Sequence, residues 1–391
     1  MKKYLCGLLC GLLLLSGCSA GAGERAALPW VSRPVTLFVS ADLHSQENSP
    51  LAFLEESLDA LFAEAAAERP AALLLCGDLT NGGREEEHLA LVRRLEAARQ
   101  AGTRIFVTMG NHDMDRGIDP ERLKEIYADF GYRDAISSDG DSMSYLAPLN
   151  DQVWLLSLDC NVYGEKKSNL AGVISPETLD WVRDCLDRAQ KAGALVLPFG
   201  HHNLLVHNMN DKGDSYNIAG GDDLAELLLD YGVPVYLSGH RHNSFQVPKE
   251  RDGRQLTELV SDMPAAYPHR YTALTLQPDG SIDYAVPELN LKNRSLSAAA
   301  ATEKLHETAA IAVKSFHVTD DERLALEDFF FRFYGAFQNR RLWQESSLLR
   351  EDPALVRWQT HGTESVYARW MPWVLAHQTD DCPAQTLGPY R

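Results

Sequence analysis

Six of the thirteen histidines fall in short motifs with aspartate or asparagine, and these motifs define the chemistry open to the chain. Asp42-Leu43-His44 and His240-Arg241-His242 each set two ligand-type side chains two residues apart. On an extended backbone both members of such a pair point the same way. Between them come Gly77-Asp78, Gly110-Asn111-His112-Asp113 and Gly200-His201-His202. Carboxylate and imidazole in this mixture, with no cysteine in the motifs, suit Mn, Fe or Zn rather than Ca or a thiolate-seeking ion. Singly, each motif has a plainer reading. Asp-Leu-His can be a turn, Gly-Asp is commonplace, and a lone His201 or His202 can be a satisfied core histidine. Five motifs in order, each at the end of an apolar run, are not accounted for that way.

Those apolar runs are the elements that must position the motifs. Residues 35–40, 71–76, 104–109, 194–199 and 233–238 are continuously apolar and bounded by Gly or polar residues. This pattern predicts strands buried on both faces. Each run delivers its ligand-type residues at the carboxyl end, where open α/β sheets place active sites. Helical patterns lie between the runs, as over residues 85–101. Asp119-Pro120-Glu121 and Ser175-Pro176-Glu177 both set an N-cap residue before a proline at the first helical position. Pro278-Asp279-Gly280, between residues 271–276 and 282–285, signals a hairpin, so the sheet is expected to be mixed.

Beyond about residue 290 the pattern turns helical. Leu305, Ala309, Ala312 and Phe316 keep an amphipathic period, and Thr319 with Glu322 forms a capping box. Leu326, Phe330, Phe333 and Phe337 then share a stripe. Trp358, Tyr367, Trp370 and Trp373 can form a binding surface or dock a terminal helix onto a core; the second is the expectation.

The series Asp42-x-His44, Gly77-Asp78, Gly110-Asn111-His112-Asp113, His201-His202 and Gly239-His240-x-His242 resembles the calcineurin-like metallophosphoesterases over roughly residues 35–286. The resemblance implies an α/β fold, a four-layer α/β/β/α sandwich with mixed sheets, followed here by a C-terminal helical region. It also implies a centre of two divalent or trivalent metal ions, Mn, Fe or Zn. By position Asp42, His44, Asp78 and His242 would hold one ion, and Asp78, Asn111, His201 and His240 the other. Asp78 would bridge, because a carboxylate has two oxygens for ions about 3.5–4 Å apart. His201 aligns with the family's ligand, leaving His202 and His207 to face substrate or to support the ligands. His112 resembles the family's histidine that protonates the leaving alkoxide or stabilises the transferring phosphoryl group.

One departure stands out. Family members that act on phosphoproteins carry Gly-Asp-x-x-Asp-Arg-Gly, whereas this chain reads Gly77-Asp78-Leu79-Thr80-Asn81-Gly82-Gly83. That weakens a protein-phosphatase reading and leaves His112 to be oriented by another group, with Asp113 a candidate. The expected activity is hydrolysis of a small phosphomonoester or phosphodiester by a metal-activated water. The alternatives are an exported nucleotidase or nuclease of the same superfamily, or a non-catalytic surface binding protein on this fold.

Composition bounds these readings. The 391 residues are 45% hydrophobic, 24% charged and 9% aromatic, which fits a globular chain. A net charge of −18 argues against broad binding to nucleic-acid backbone. It leaves phosphate chemistry open, since bound metal ions supply positive charge locally. At the N-terminus Lys2 and Lys3 precede an apolar run over residues 5–15, too short to span a bilayer comfortably. Leu15-Ser16-Gly17-Cys18 resembles a lipobox. The expected organisation is a lipoprotein signal peptide over residues 1–18, a tether over 19–34, the phosphoesterase domain over 35–290 and the helical region over 291–391. The protein would be exported and held on a bacterial membrane by a lipid at Cys18, unless an ordinary signal is cut near Ala20. Cys6 and Cys10 lie in that signal. Cys76, Cys160, Cys185 and Cys382 form no CxxC pair, so neither a disulfide framework nor a cysteine zinc site is expected.

Overall fold

The computed structural model describes residues 30–46, 49, 51, 53–114, 118–163, 170–207, 216–362, 365–378 and 382–390. The expected signal peptide, the lipidation site Cys18 and most of the tether lie outside the described residues. Among the described residues no helix is long and apolar enough to cross a membrane.

The chain begins with three parallel strands, β1 (Val35–Ser40), β2 (Ala72–Cys76) and β3 (Ile105–Thr108). Their crossovers are α1 (Leu54–Glu68) and α2 (Glu85–Gln100). The strands are apolar throughout because they feed two cores. Leu37, Val39, Leu74 and Phe106 enter one, while Phe38, Leu73, Leu75 and Val107 enter the other with Leu58, Leu61 and Leu91 of the helices. Alternation persists, but both faces are buried. Since the three strands run in one direction, the residues that follow them emerge along one edge.

After the short helix α3 (Pro120–Ile126) the chain builds a second sheet. Its first strands are β4 (Ser137–Ser138), β5 (Tyr145–Pro148) and β6 (Val153–Leu158). A two-residue segment, β7 (Gly172–Val173), leads into α4 (Pro176–Ala192) and β8 (Leu195–Gly200). Then come β9 (Ile218–Ala219), which pairs with β7, α5 (Gly221–Asp230) and β10 (Val235–Ser238). The hairpin β11 (Phe245–Arg251) and β12 (Arg254–Val260) completes the order β11-β12-β10-β8-β6-β5-β4. Here β6, β8, β10 and β12 are parallel.

The chain then returns to the first sheet. β13 (Thr272–Leu276) lies antiparallel to β1, and β14 (Ile282–Ala285) folds back on it across the turn expected at residues 278–280. The inner faces of the sheets share one core, in which Leu37 and Phe106 meet Leu155, Leu197 and Phe199. Val182 and Leu186 of α4 and Leu224 and Leu228 of α5 cover the far side. The result is the four-layer α/β/β/α arrangement.

The helical region runs through α6 (Arg294–Val313), α7 (Asp320–Gln338), α8 (Leu342–Glu351), α9 (Pro353–His361) and α10 (Val366–His377). It has a core of its own around Phe330, Phe333, Trp358, Met371 and Val374. The chain next re-enters the sandwich, as β15 (Ala384–Leu387) pairs with β14. Arg340 Nη1 donates to the Tyr284 hydroxyl at 2.6 Å, and Arg270 Nη2 to the Gln338 carbonyl at 2.7 Å. The helical region is therefore stitched to the sandwich at several points.

Candidate metal centre

The backbone around the strand ends is unusual before any side chain is considered. Ten non-glycine residues among those described have positive φ, and five are Asp42, His44, Asp78, His240 and His242. Left-handed backbone at non-glycine positions is uncommon and persists where the surroundings over-determine it. Hydrogen bonds between strand ends do that here. Asp42 N donates to Gly77 O at 3.0 Å, His44 N to Asp78 O at 2.9 Å and Gly239 N to His201 O at 3.1 Å. Glycine is required where these ends approach one another. A Cβ on Gly110 would lie 2.3 Å from Asp78 N, and one on Gly77 would lie 2.5 Å from His201 Cβ.

This framework brings the expected ligands together in two groups. Asp42, His44, Asp78 and His242 form one, and Asp78, His201 and His240 the other. In the first, His44 Nε2 lies 3.1 Å from His242 Nε2, which is 3.5 Å from Asp42 Oδ1. In the second, His201 Nε2 lies 3.0 Å from His240 Nδ1 and 3.1 Å from Asn111 Oδ1. Asn111 thus joins the second group. Asp78 Oδ2 faces both, at 3.7 Å from His44 Nε2 and 3.4 Å from His201 Nε2. Its other oxygen, Oδ1, accepts the His112 N–H at 2.8 Å. Asp78 thus sits between both groups, its Oδ2 turned toward them and its Oδ1 held by a backbone donor.

The donor set fits cations. His201 Nδ1 bonds the Cys76 carbonyl at 3.0 Å, and His240 Nε2 bonds the Leu170 carbonyl at 2.9 Å. A carbonyl only accepts, so each ring carries its proton on that side. In the neutral rings the facing nitrogens, His201 Nε2 and His240 Nδ1, are lone pairs beside the Asn111 oxygen. Three lone-pair donors facing one another repel unless a positive charge lies among them. With bonds of about 2.1 Å, donors on one ion sit roughly 3.0–3.4 Å apart, close to the separations here. The backbone carbonyls that hold the imidazoles are partners typical of metal-binding histidines.

Charge points the same way. Burial pushes the Asp42 carboxyl up to about 6 and the His44 imidazole down to about 4. Burial also opposes ionisation of Asp78, but the imidazoles of His201 and His44 hold it below the usual carboxylate range. Burial lowers His201 as well, and the Asp78 carboxylate outweighs that and raises it to about 9. Without cations, such a cluster compensates its buried charge by redistributing protons.

His112 belongs to neither group. Its Nδ1 lies 2.8 Å from the Asn81 carbonyl, and its ring packs edge-on against His44 at 4.8 Å. The orienting group is thus a backbone carbonyl, not Asp113 as the sequence suggested. Asp113 is committed elsewhere: it accepts from Leu79 N, Thr80 N, Thr80 Oγ1 and Gly110 N, clamping two strand-end loops together. The Asn81 side chain bonds Gln46 Oε1 at 2.7 Å.

His202 and His207 support the ligands and do not line the cavity. His202 packs edge-on against His201 at 5.1 Å, and His207 Nε2 lies 2.9 Å from Glu258 Oε2. Glu258, which sequence reasoning missed, accepts from Leu204 N, Leu205 N and Ser238 Oγ. It fixes the loop after His201, and no motif around it pointed to that role. Arg241, passed over as the variable residue of His-x-His, stacks on Tyr216 at 4.7 Å and donates to Asn203 Oδ1 at 2.8 Å. Cys76, Cys160, Cys185 and Cys382 are free thiols.

The centre opens into a cavity of about 650 Å³. Asp78, Asn111, His112, His240 and Arg241 line one end, and aromatic residues of the helical region line the other. The expectation for the tail therefore splits. Trp358 is a core residue, whereas Tyr367 and Trp370 face the cavity.

The sequence pattern of the family described as calcineurin-like phosphoesterase matches residues 35–244, a span that carries every expected ligand. This chain belongs to that family. Members use dinuclear metal centres, and the two donor groups are this phosphoesterase's candidates for one. A probable cyclic nucleotide phosphodiesterase from Rhodococcus erythropolis (strain PR4 / NBRC 100887) is 28% identical over 192 residues, 49% of this chain. The chain spans 57% of that relative's length. Among solved structures, a dimetal phosphatase from Danio rerio shares the fold with a TM-score of 0.53 at 14% identity, over 65% of this chain and 96% of that one.

Proposed function

We propose that this calcineurin-like phosphoesterase hydrolyses a small phosphomonoester or phosphodiester at a dinuclear centre held by Asp42, His44, Asp78, Asn111, His201, His240 and His242. The observation that carries the proposal is Asp78 Oδ2, shared by two donor groups at the end of a cavity that His112 also lines. Two bound ions would acidify a water and offset charge on the phosphoryl oxygens. The protein's own contribution is positional. Arg241 supplies the cation among the cavity-lining side chains and suits a phosphoryl oxygen. His112 donates Nδ1–H to the Asn81 carbonyl, so as the imidazolium it would carry a second proton, on Nε2, to give to the departing alkoxide. The helical wall across the cavity favours a small substrate over a nucleic-acid polymer, and His112 beside the donor groups favours catalysis over mere binding. The test is metal analysis of the purified chain, then turnover of nitrophenyl monoesters, nitrophenyl diesters and cyclic nucleotides with Mn²⁺ or Zn²⁺. Two equivalents of metal and turnover of one class are expected; a chain that neither retains metal nor turns over any of them rules the proposal out.

We also propose that the protein is exported and anchored through Cys18, on the strength of Leu15-Ser16-Gly17-Cys18 after the basic and apolar start. Cys18→Ser should abolish lipid labelling and release the protein from membranes. Unchanged labelling and retention would refute the anchor.

A further inference from the structure

The cavity has two chemically different ends. Beyond the metal centre its wall is built by α7 and α10, which contribute Tyr334, Phe337, Gln338, Val366, Tyr367 and Trp370. None of these six is charged. The rings form one packed set, with Phe337 and Trp370 edge to face at 4.9 Å and Tyr334 at 6.0 Å from Trp370. Tyr334 and Tyr367 remain only partly buried, whereas Phe330, Phe333 and Trp358 of the same region are fully buried in its core. The aromatic residues therefore divide between packing the helices and facing the cavity. Phe245, Met263 and Tyr267 continue the apolar lining on the sandwich side.

Polar groups on that side are few. Asn243 and Asp262 line the cavity, and Asn243 Nδ2 and Asp262 Oδ2 have no hydrogen-bond partner. Asp262 Oδ1 accepts from Ser244 N at 2.8 Å, which fixes that carboxylate in place. Asp262 Oδ2 also faces the buried Arg270 Nε at 4.0 Å, so Asn243 Nδ2 is the donor beside the cavity for which a ligand can supply the missing partner. Arg241, the Lys/Arg side chain among the described residues lining this cavity, sits at the metal end between two ligands.

The geometry points to a substrate class: phosphoesters whose organic group is a planar aromatic ring, held against Tyr334, Tyr367 and Trp370 while the phosphoryl group occupies the Asp78, Asn111 and His112 end. This inference deepens the phosphoesterase reading and rests on it. Aromatic walls favour planar rings through stacked and edge-to-face contacts. A cavity of about 650 Å³ lies within the range of sites for molecules of that size. A polyphosphate chain or a second phosphate would bring negative charge to a wall with no cation, and such burial is unfavourable.

Binding without turnover tests this on the Mn²⁺-loaded full chain. Titration calorimetry would compare phenylphosphonate with methylphosphonate, which present the same charged head and differ in the ring. Phenylphosphonate should bind about tenfold tighter. The ratio should fall severalfold in both Tyr334→Ala and Tyr367→Ala, and Tyr367→Phe should keep it. Two separate tyrosines guard against one variant that fails to fold. Equal affinities in the wild type, or an unchanged ratio in both alanine variants, overturn the aromatic wall while leaving the phosphoesterase reading intact. Binding of neither phosphonate defeats the phosphoesterase reading, and this inference falls with it.

Discussion

Asp78 and His112 are joined by one hydrogen bond yet have separable tasks. Asp78 Oδ2 faces both donor groups, so Asp78→Asn should lower the occupancy of both metals, while His44→Ala should lower one. Equal losses from the two variants, each retaining one full ion, would contradict the shared oxygen. His112 sits outside both groups, so His112→Ala should keep both metals while kcat falls by about 10²–10⁴-fold, the usual worth of a positioned general acid. The loss should be larger on alkyl esters than on nitrophenyl esters, whose leaving group needs little protonation. Wild-type turnover of an alkyl ester by the variant would remove His112 from the mechanism. The expected ligand positions were legible in the sequence because their side chains carry the chemistry. The orientation of His112 was not. It depends on the Asn81 carbonyl, a backbone group that every residue type possesses. Asp113 drew attention because carboxylates often orient histidines, but four donors from two loops claim it first.

At the scale of elements, legibility followed length and burial. The five apolar runs became β1, β2, β3, β8 and β10 within two residues of the expected limits, since continuous burial leaves a continuous apolar trace. Asp119, Ser175 and Thr319 cap α3, α4 and α7 as their residue types predict. β4, β7 and β9 were not visible, because two residues cannot display a period. β15 was hidden for another reason: an exposed edge strand beyond a helical region has no core to impose a pattern. The end of β6 carries a pH-sensitive element. Asp159 there accepts from Met143 N at 3.0 Å and Asn161 Nδ2 at 2.7 Å, yet burial pushes it up to about 6. Its folded value exceeds the unfolded one of about 3.9, so its stabilising contribution is full below that value and is lost as pH rises through 6. The stability of the wild type relative to Asp159→Asn should therefore fall by roughly 2–3 kcal/mol between pH 4 and 7. Denaturant titrations across that range would show it, and a constant difference would show that Asp159 does not titrate there.

Across the whole molecule, the cavity lies between two cores. The sandwich supplies the donor groups and the helical region supplies the aromatic wall, so any relative motion would change the cavity. Connectivity opposes such motion: the helices enter after β14, and the chain returns to pair with it as β15. Arg340 reinforces the seam. It is buried, donates to the Tyr284 hydroxyl at 2.6 Å and stacks over the same ring at 5.5 Å. The donor groups lie in the sandwich alone, yet if the units unfold together a metal held there would stabilise both. Saturation at a hundred times Kd is worth about 2.7 kcal/mol, enough to raise a melting temperature visibly. Scanning calorimetry of the wild type should therefore give one transition that shifts upward on adding Mn²⁺. Arg340→Ala leaves the Tyr284 hydroxyl without this donor and removes a buried cation–π contact. That variant should melt in two steps, with the step of the helical region insensitive to metal. Two transitions in the wild type, only one of them responding to Mn²⁺, would show that the seam does not couple the units.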